Sequence, residues 1–387
     1  MISSRSSLNS IRKMFMVGGG FFAYGISAIQ TTVLSLHIAH NCSKEYLAVF
    51  SFLLSCLYFS IQLLRRNIIE PFYQSSSTSI NKTYIIQITL ILSFMLIVVG
   101  ITSYISKLFE LSLFLLFLTL STLLWEIRKA ELRKAKLFLN YSLMETLILI
   151  VLSSIIAGNV FGFGLGPDAT IVLQAFMQMI AYVFSKVRTH IAKDLSETYK
   201  SAPSIQTFSF GEYLFVLSII VINLWLIKAG YASEVGEIRA IFLLLTVGTF
   251  CIGALRNSLA TKMTFSLFDY LLVGAILLNI FIVNCLPTSF VQNVIPSVSA
   301  NFHYVLIPVS LDVIGSLLVA IFSMQLIYHN KMNVASESRL ISVLVLAISF
   351  AILGEKQLDA FTIACTFGLS SIGGATYLHF RKRMICP

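Results

Sequence analysis

The chain has 387 residues, of which 57% are hydrophobic and 11% charged, with a formal net charge of +10 and a mean hydropathy of +0.88. A water-soluble domain carries about 25% charged residues, so water is not the solvent for most of this surface, and the positive balance is not a nucleic-acid signal. No segment shows the apolar/polar alternation of an outer-membrane barrel, and the six cysteines are scattered without metal or disulfide spacing.

Twelve apolar stretches follow in chain order, most of them near the ~20 residues that cross a hydrocarbon layer as a helix. A polar, basic Met1–Lys13 leads into the first, Met14–His37, which has no small-residue cleavage site after it and is expected to remain. Its Gly18, Gly19, Gly20 and Gly25 permit either bending or close packing. The second, Tyr46–Leu64, ends in Arg65 and Arg66. The third and fourth are Tyr84–Ile105 and Leu108–Trp125; the fifth, Phe138–Ile156, holds Glu145 about two turns in. Gly158, Gly162, Gly164 and Gly166 before Pro167 form a turn, not a phosphate loop, because no Lys-Ser/Thr follows. The sixth is Thr170–Val187. The seventh, Phe210–Leu226, has Glu212 near its inner end and Lys228 just beyond its outer end. The eighth, Glu237–Leu255, runs from Arg239 at the outer side to Arg256 at the inner. The ninth, Leu267–Leu286, carries Asp269 near its inner end. The tenth, Tyr304–Ile327, contains Pro308 and Asp312; a short eleventh, Leu340–Leu353, and a twelfth, Asp359–His379, close the series.

The basic residues sort these stretches by side. Twenty-two of the 27 Lys and Arg fall on one set of alternating segments: the N-terminus, the Arg65–Thr83 loop, Arg128–Lys136, Lys186–Lys200, Arg256–Lys262, Lys331–Arg339 and Arg381–Arg383. Only Lys44, Lys107, Lys228, Arg239 and Lys356 lie on the other. By the positive-inside rule both termini are cytoplasmic, and the excess charge also attracts anionic lipid headgroups.

The two halves repeat. Glu45, Ala48, Phe50 and Leu53 recur as Glu237, Ala240, Phe242 and Leu245, and Glu145, Val151 and Leu152 as Glu337, Val343 and Leu344, all at an offset of 192 residues. Asp168-Ala169 and Leu64-Arg65 recur as Asp359-Ala360 and Leu255-Arg256 at 191. Six spans return the chain to its starting side, so two such units are parallel repeats about an axis along the membrane normal. The expected fold is an all-α polytopic membrane protein of about 12 transmembrane helices in two six-helix parallel repeats, 1–195 and 196–387. Two lobes of that kind suggest alternating access. A scaffold rarely needs so many spans with so little extramembrane mass, and an enzyme acting on glycans would need a larger outer loop or a His/Asp/Arg cluster.

Two kinds of charge are candidates for function. Arg65, Arg66 and Arg256 at inner helix ends, with Lys228 and Arg239 at outer ends, either offset the charge of an anionic substrate crossing a low-dielectric region or snorkel and fix topology. Arg65 and Arg256 occupy equivalent positions in the repeat. Asp312, toward the middle of a span, costs ~2.5 kcal/mol or more to insert; it is either a coupling carboxylate or a hydrogen-bonded helix contact, with Pro308 loosening the turn before it. Glu145, Glu212 and Asp269 are shallower candidates for the same role.

Length, span count, cytoplasmic termini and the six-plus-six repeat resemble the polysaccharide flippases of the multidrug/oligosaccharidyl-lipid/polysaccharide exporter superfamily. Ala232-Ser-Glu234-Val-Gly236-Glu-Ile-Arg239-Ala240 into the eighth span, and Trp125-Glu126-Ile-Arg128-Lys129 followed by Leu137-Phe138, are similar to segments of its polysaccharide-export members. The resemblance implies a bacterial inner (plasma) membrane transporter that flips a lipid-linked oligosaccharide, a polysaccharide repeat unit, from the inner to the outer leaflet. It implies no cofactor beyond a coupling H⁺ or Na⁺, no enzymatic activity, and partners among polysaccharide polymerases or glycosyltransferases. A rival resemblance, Ala351-Ile-Leu353-Gly354-Glu355 followed by Gly368, Gly373 and Gly374, is to the last hairpin of drug/metabolite transporters, and implies a small-molecule exporter.

Overall fold

The computed structural model describes residues 26–27, 29–69, 72, 85–106, 109–135, 137–160, 165–185, 209–259, 265–328, 332–353 and 358–385. Among them every regular element is a helix. We number them α1 (29–41), α2 (Lys44–Leu64), α3 (Ile85–Ser106), α4 (Phe109–Lys134), α5 (Phe138–Val160), α6 (Pro167–Phe184), α7 (Ser209–Lys228), α8 (Ala232–Leu244), α9 (Thr246–Leu259), α10 (Leu267–Cys285), α11 (Thr288–Val294), α12 (Phe302–Tyr328), α13 (Met332–Leu353) and α14 (Ala360–Ile385). A π-helical turn, Arg65–Ile69, extends α2. Eight of the described helices, or nine with the bent pair α8–α9 taken as one, are long and apolar enough to cross a membrane. Shorter apolar helices at Ile88–Tyr104 and Tyr213–Lys228 add to them. Large apolar side chains stand exposed on α3 (Leu90, Leu96, Ile97) and α10 (Leu271, Leu277, Phe281), as expected where lipid is the solvent.

The chain divides into two compact units, Met1–His37 with Cys56–Ala202, and Ile38–Ser55 with Pro203–Pro387. In the first, α4 packs against α3 and α6, and α5 against α6, over a core of Trp125, Leu132, Tyr141, Ile148 and Ala181. In the second, α14 packs against α12 and α13, α7 against α13, and α9 against α10 and α12, over Val319, Leu326, Val334, Ala375 and Leu378. The repeat is visible in the helix starts: α4, α5 and α6 begin at 109, 138 and 167, and α12, α13 and α14 at 302, 332 and 360, offsets of 193, 194 and 193.

Three differences from the boundaries read in the sequence are the largest. The fourth span does not stop at Trp125: α4 continues to Lys134. Its charges permit this because they pair along and across helices, Lys129 with Glu126, Arg128 with Glu131 at 2.6 Å and Lys129 with Glu145 at 3.2 Å, so the segment is not the solvated basic loop that a count of Lys and Arg suggested. The eleventh span begins two turns earlier, at Met332, because Arg339 is buried over the Phe215 ring at 4.8 Å and Ser338 donates back to the Ala335 carbonyl. The eighth span is two helices, α8 and α9, bent by 65°.

Candidate functional site

The first unit holds a buried charge network built from four elements. Glu145 projects from α5, the middle of an apolar stretch, and is 1% exposed. Such a carboxylate persists only if its oxygens are occupied. One oxygen accepts from Trp125 Nε1 at 3.0 Å and lies 3.2 Å from the Lys129 ammonium. The other accepts from Gln30 Nε2 of α1 at 2.7 Å, and the same amide reaches the Glu145 backbone carbonyl at 2.7 Å. Lys129 is also paired with Glu126, one turn before it on α4. Glu126 Oε2 in turn accepts from Arg65 Nη2 at 3.0 Å and Nε at 3.3 Å. Two carboxylates and two cations are thus linked in series from buried Glu145 to Arg65, whose side chain is 41% exposed.

Aromatic faces line this network. The Lys129 ammonium lies 6.0 Å from the Trp125 ring and 5.8 Å from the Tyr141 ring, and Arg133 stacks on Tyr141 at 4.9 Å while donating to its hydroxyl at 2.9 Å. Their quadrupoles add attraction for the cations in a desolvated setting. Lys134 donates to the Phe72 carbonyl at 2.6 Å, which ties the chain after the π-turn to the end of α4.

In the second unit, Asp312 is half-buried on α12 and accepts a hydrogen bond from Ser371 on α14. Glycines set that contact. A Cβ on Gly315 would sit 2.7 Å from the Ser371 Cβ, and one on Gly368 would sit 2.9 Å from the Pro308 carbonyl oxygen. The close approach of α12 and α14 that brings the hydroxyl to the carboxylate therefore requires both positions to lack side chains. Arg339 acts on Asp312 electrostatically from α13.

The other sequence candidates fall in different settings. Asp269 accepts from Ser266 N–H and Oγ, each at 2.7 Å, and closes the N-terminus of α10 as a capping residue. Lys228 is exposed at the end of α7. Arg239 and Arg256 are half-buried on α8 and α9. The side chains of Arg66 and Glu212, and Gly18, Gly19, Gly20 and Gly25 of the first span, lie outside the described residues.

Sequence reasoning missed Glu126, Lys129 and Gln30 as members of one site. The available signal was the Glu126-x-x-Lys129 spacing, an i,i+3 pair on one helix face, next to Glu145 in the following helix. It also missed a polar staple in the second unit, where Glu237 of α8 pairs with Lys44 at 2.9 Å and accepts from Ser299.

No family model matches the chain, and no curated protein matches it. Among solved structures it is similar to the eukaryotic MATE transporter AtDTX14, with a TM-score of 0.52 and 13% sequence identity over 98% of this chain and 96% of that one. That likeness covers both halves, and with the apolar helices it gives the fold: an all-α multi-pass membrane protein of the MATE-transporter architecture, with about 12 transmembrane helices.

Proposed function

We propose that the chain is a secondary transporter of the multidrug/oligosaccharidyl-lipid/polysaccharide exporter superfamily that moves a lipid-linked oligosaccharide from the inner to the outer leaflet of a bacterial inner membrane by alternating access. The carrying observation is the full-length likeness to a transporter fold, joined to a chain whose cationic residues concentrate on one set of alternating segments. In this reading it is a carrier, not an enzyme, with lobes near 1–195 and 196–387. The diphosphate of the lipid-linked sugar meets Arg65, Arg66 and Arg256 on the cytoplasmic side and Arg239 and Lys228 on the outer side. Arg65 suits such a role because its guanidinium is half-exposed and oriented by buried Glu126; a planar donor fork held in place binds phosphate oxygens with geometric specificity.

The coupling ion is assigned to Asp312. A carboxylate beside one hydroxyl, Ser371, can take up a proton without further ligands, and a proton is the coupling ion proposed here. Polymerases and glycosyltransferases of the same polysaccharide are the proposed partners.

A small-molecule exporter on the same fold is the second reading. It draws support from Lys129, the one described cation deep in the first unit, being offset by two carboxylates. Deleting the gene in its host separates the readings. A flippase predicts loss of surface polysaccharide with lipid-linked repeat units accumulating on the cytoplasmic leaflet, cured by the wild-type gene. Unchanged polysaccharide would overturn the flippase and favour the exporter.

A further inference from the structure

The break between α8 and α9 has an uncommon construction. Leu244 ends one helix, Thr246 begins the next, and the axes bend by 65°. In a continuous helix the Gly248 N–H would donate to the Leu244 carbonyl, four residues back. Here the Gly248 N–H donates instead to Asn279 Oδ1 of α10 at 3.0 Å, and the Leu244 carbonyl accepts from Asn279 Nδ2 at 3.3 Å. A single side-chain amide is therefore inserted into one rung of the helix ladder and satisfies both groups the rung would have joined. Ile276, one turn earlier on α10 and fully buried, packs at the same point, its Cγ2 3.7 Å from where a Gly248 Cβ would be.

Other groups at the break are bonded too. Leu245 N–H bonds to the Phe242 carbonyl at 3.1 Å, Thr246 Oγ1 reaches the same carbonyl at 3.3 Å, and Thr249 N–H bonds to Leu245 at 3.1 Å. Insertion of a side chain into the ladder is one of the few physical causes of a sharp kink without proline, and no proline lies between Ala232 and Leu259. Glycine at 248 leaves the amide room: a Cβ there would stand 3.1 Å from Asn279 Oδ1, closer than an ordinary contact.

We propose that Asn279 is a positioning residue that pins a hinge in the eighth span, and that its withdrawal lets the Gly248–Leu244 bond form and straightens residues 232–259 during transport. Withdrawal exchanges two side-chain bonds for one backbone bond in the same helix, so the two conformers differ by a local rearrangement, the kind of discrete two-state element a conformational cycle needs. The assignment of the hinge to a transport cycle rests on the transporter reading above; the hinge itself does not.

The test is a distance across the break, measured by pulsed electron spin resonance on the full chain in lipid nanodiscs. Spin labels go at Ser233 and Gly253 in a background whose six native cysteines are replaced by alanine. With arms of 12 and 8 residues from Leu245 and a 65° bend, the backbone separation is about 25 Å bent and 30 Å straight at 1.5 Å per residue. Asn279→Leu, which can make neither bond, is expected to lengthen the main distance by about 4–5 Å on that geometry. Asn279→Ala, which removes the amide without adding bulk, is expected to do the same and serves if Asn279→Leu does not fold. An unchanged distance in the folded variants would overturn the hinge. In cells, the variant that lengthens the distance is expected to lower transport at least tenfold, and wild-type transport by a straightened variant would overturn its role in the cycle. Failure of the wild-type chain to transport any lipid-linked sugar would count against the proposed function and leave the hinge result standing.

Discussion

Lys129→Met removes the cation that joins two buried carboxylates, and its cost can be worked from the contacts. The ammonium lies 3.2 Å from Glu145 and pairs also with Glu126. At an effective dielectric of 20, one such pair at that distance attracts by about 5 kcal/mol, most of it offset by the desolvation already incurred. Removing one partner does not return that desolvation, because the carboxylates stay buried. We therefore expect a loss of about 3–5 kcal/mol. The assay is denaturant unfolding of the protein in bicelles, run as a double-mutant cycle. Adding Glu145→Gln to Lys129→Met removes one of the two carboxylates that Lys129 joined and keeps an oxygen for Trp125 Nε1, while Gln30 gives up one of its two bonds to residue 145 whichever way its amide turns; the pair should recover about 1–2 kcal/mol. A loss below ~1 kcal/mol in the single variant, with no recovery in the double, would refute the claim that this network is buried and tightly coupled.

Other outcomes follow from the same geometry. Arg65→Ala breaks a pair whose cation is 41% exposed, so solvent screening limits the stability loss to about 1 kcal/mol; transport should fall far more, which a cell-based polysaccharide assay checks. Asp312→Asn keeps an oxygen for the Ser371 hydroxyl, so folding yield should match wild type while transport driven by an ion gradient is lost; retained gradient-driven transport would remove Asp312 from coupling. Gly315→Leu places a side chain where Ser371 already sits at 2.7 Å and should cost at least ~1–3 kcal/mol, whereas Gly100→Ala, with nothing within 4 Å, should be neutral or stabilising by up to ~1 kcal/mol.

Most spans were legible because lipid imposes a simple rule: the backbone bonds internally and the side chains are apolar. Ile85–Ser106, Leu267–Cys285 and Phe302–Tyr328 lie within about two residues of the stretches read from hydropathy. The exceptions have two causes, both lying in polar side chains. Where polar side chains satisfy each other, hydropathy falls although the helix goes on, as at Glu126, Lys129 and Glu131 in α4. Where a side chain replaces a backbone bond, hydropathy stays high although the helix breaks, as at Leu245, because the responsible amide, Asn279, is 34 residues further along. Asp312 stood out in the sequence as a carboxylate in mid-span, but its partner Ser371 did not, since serine is common in such helices and only the Gly315 contact fixes which one is near. Arg65 was legible as a helix-end cation, and its anchor Glu126 was not, because the two are 61 residues apart.

Reconstitution of the purified chain into liposomes containing a fluorescent lipid-diphosphate oligosaccharide on the inner leaflet, under an imposed proton gradient, tests the central claim most directly. The account predicts appearance of the sugar at the outer surface, read by an impermeant lectin, that depends on the protein, rises with the gradient and is lost in Asp312→Asn. Sugar that stays inside at the rate of protein-free liposomes, while the same vesicles move a small organic cation, would contradict it and make the chain a small-molecule exporter.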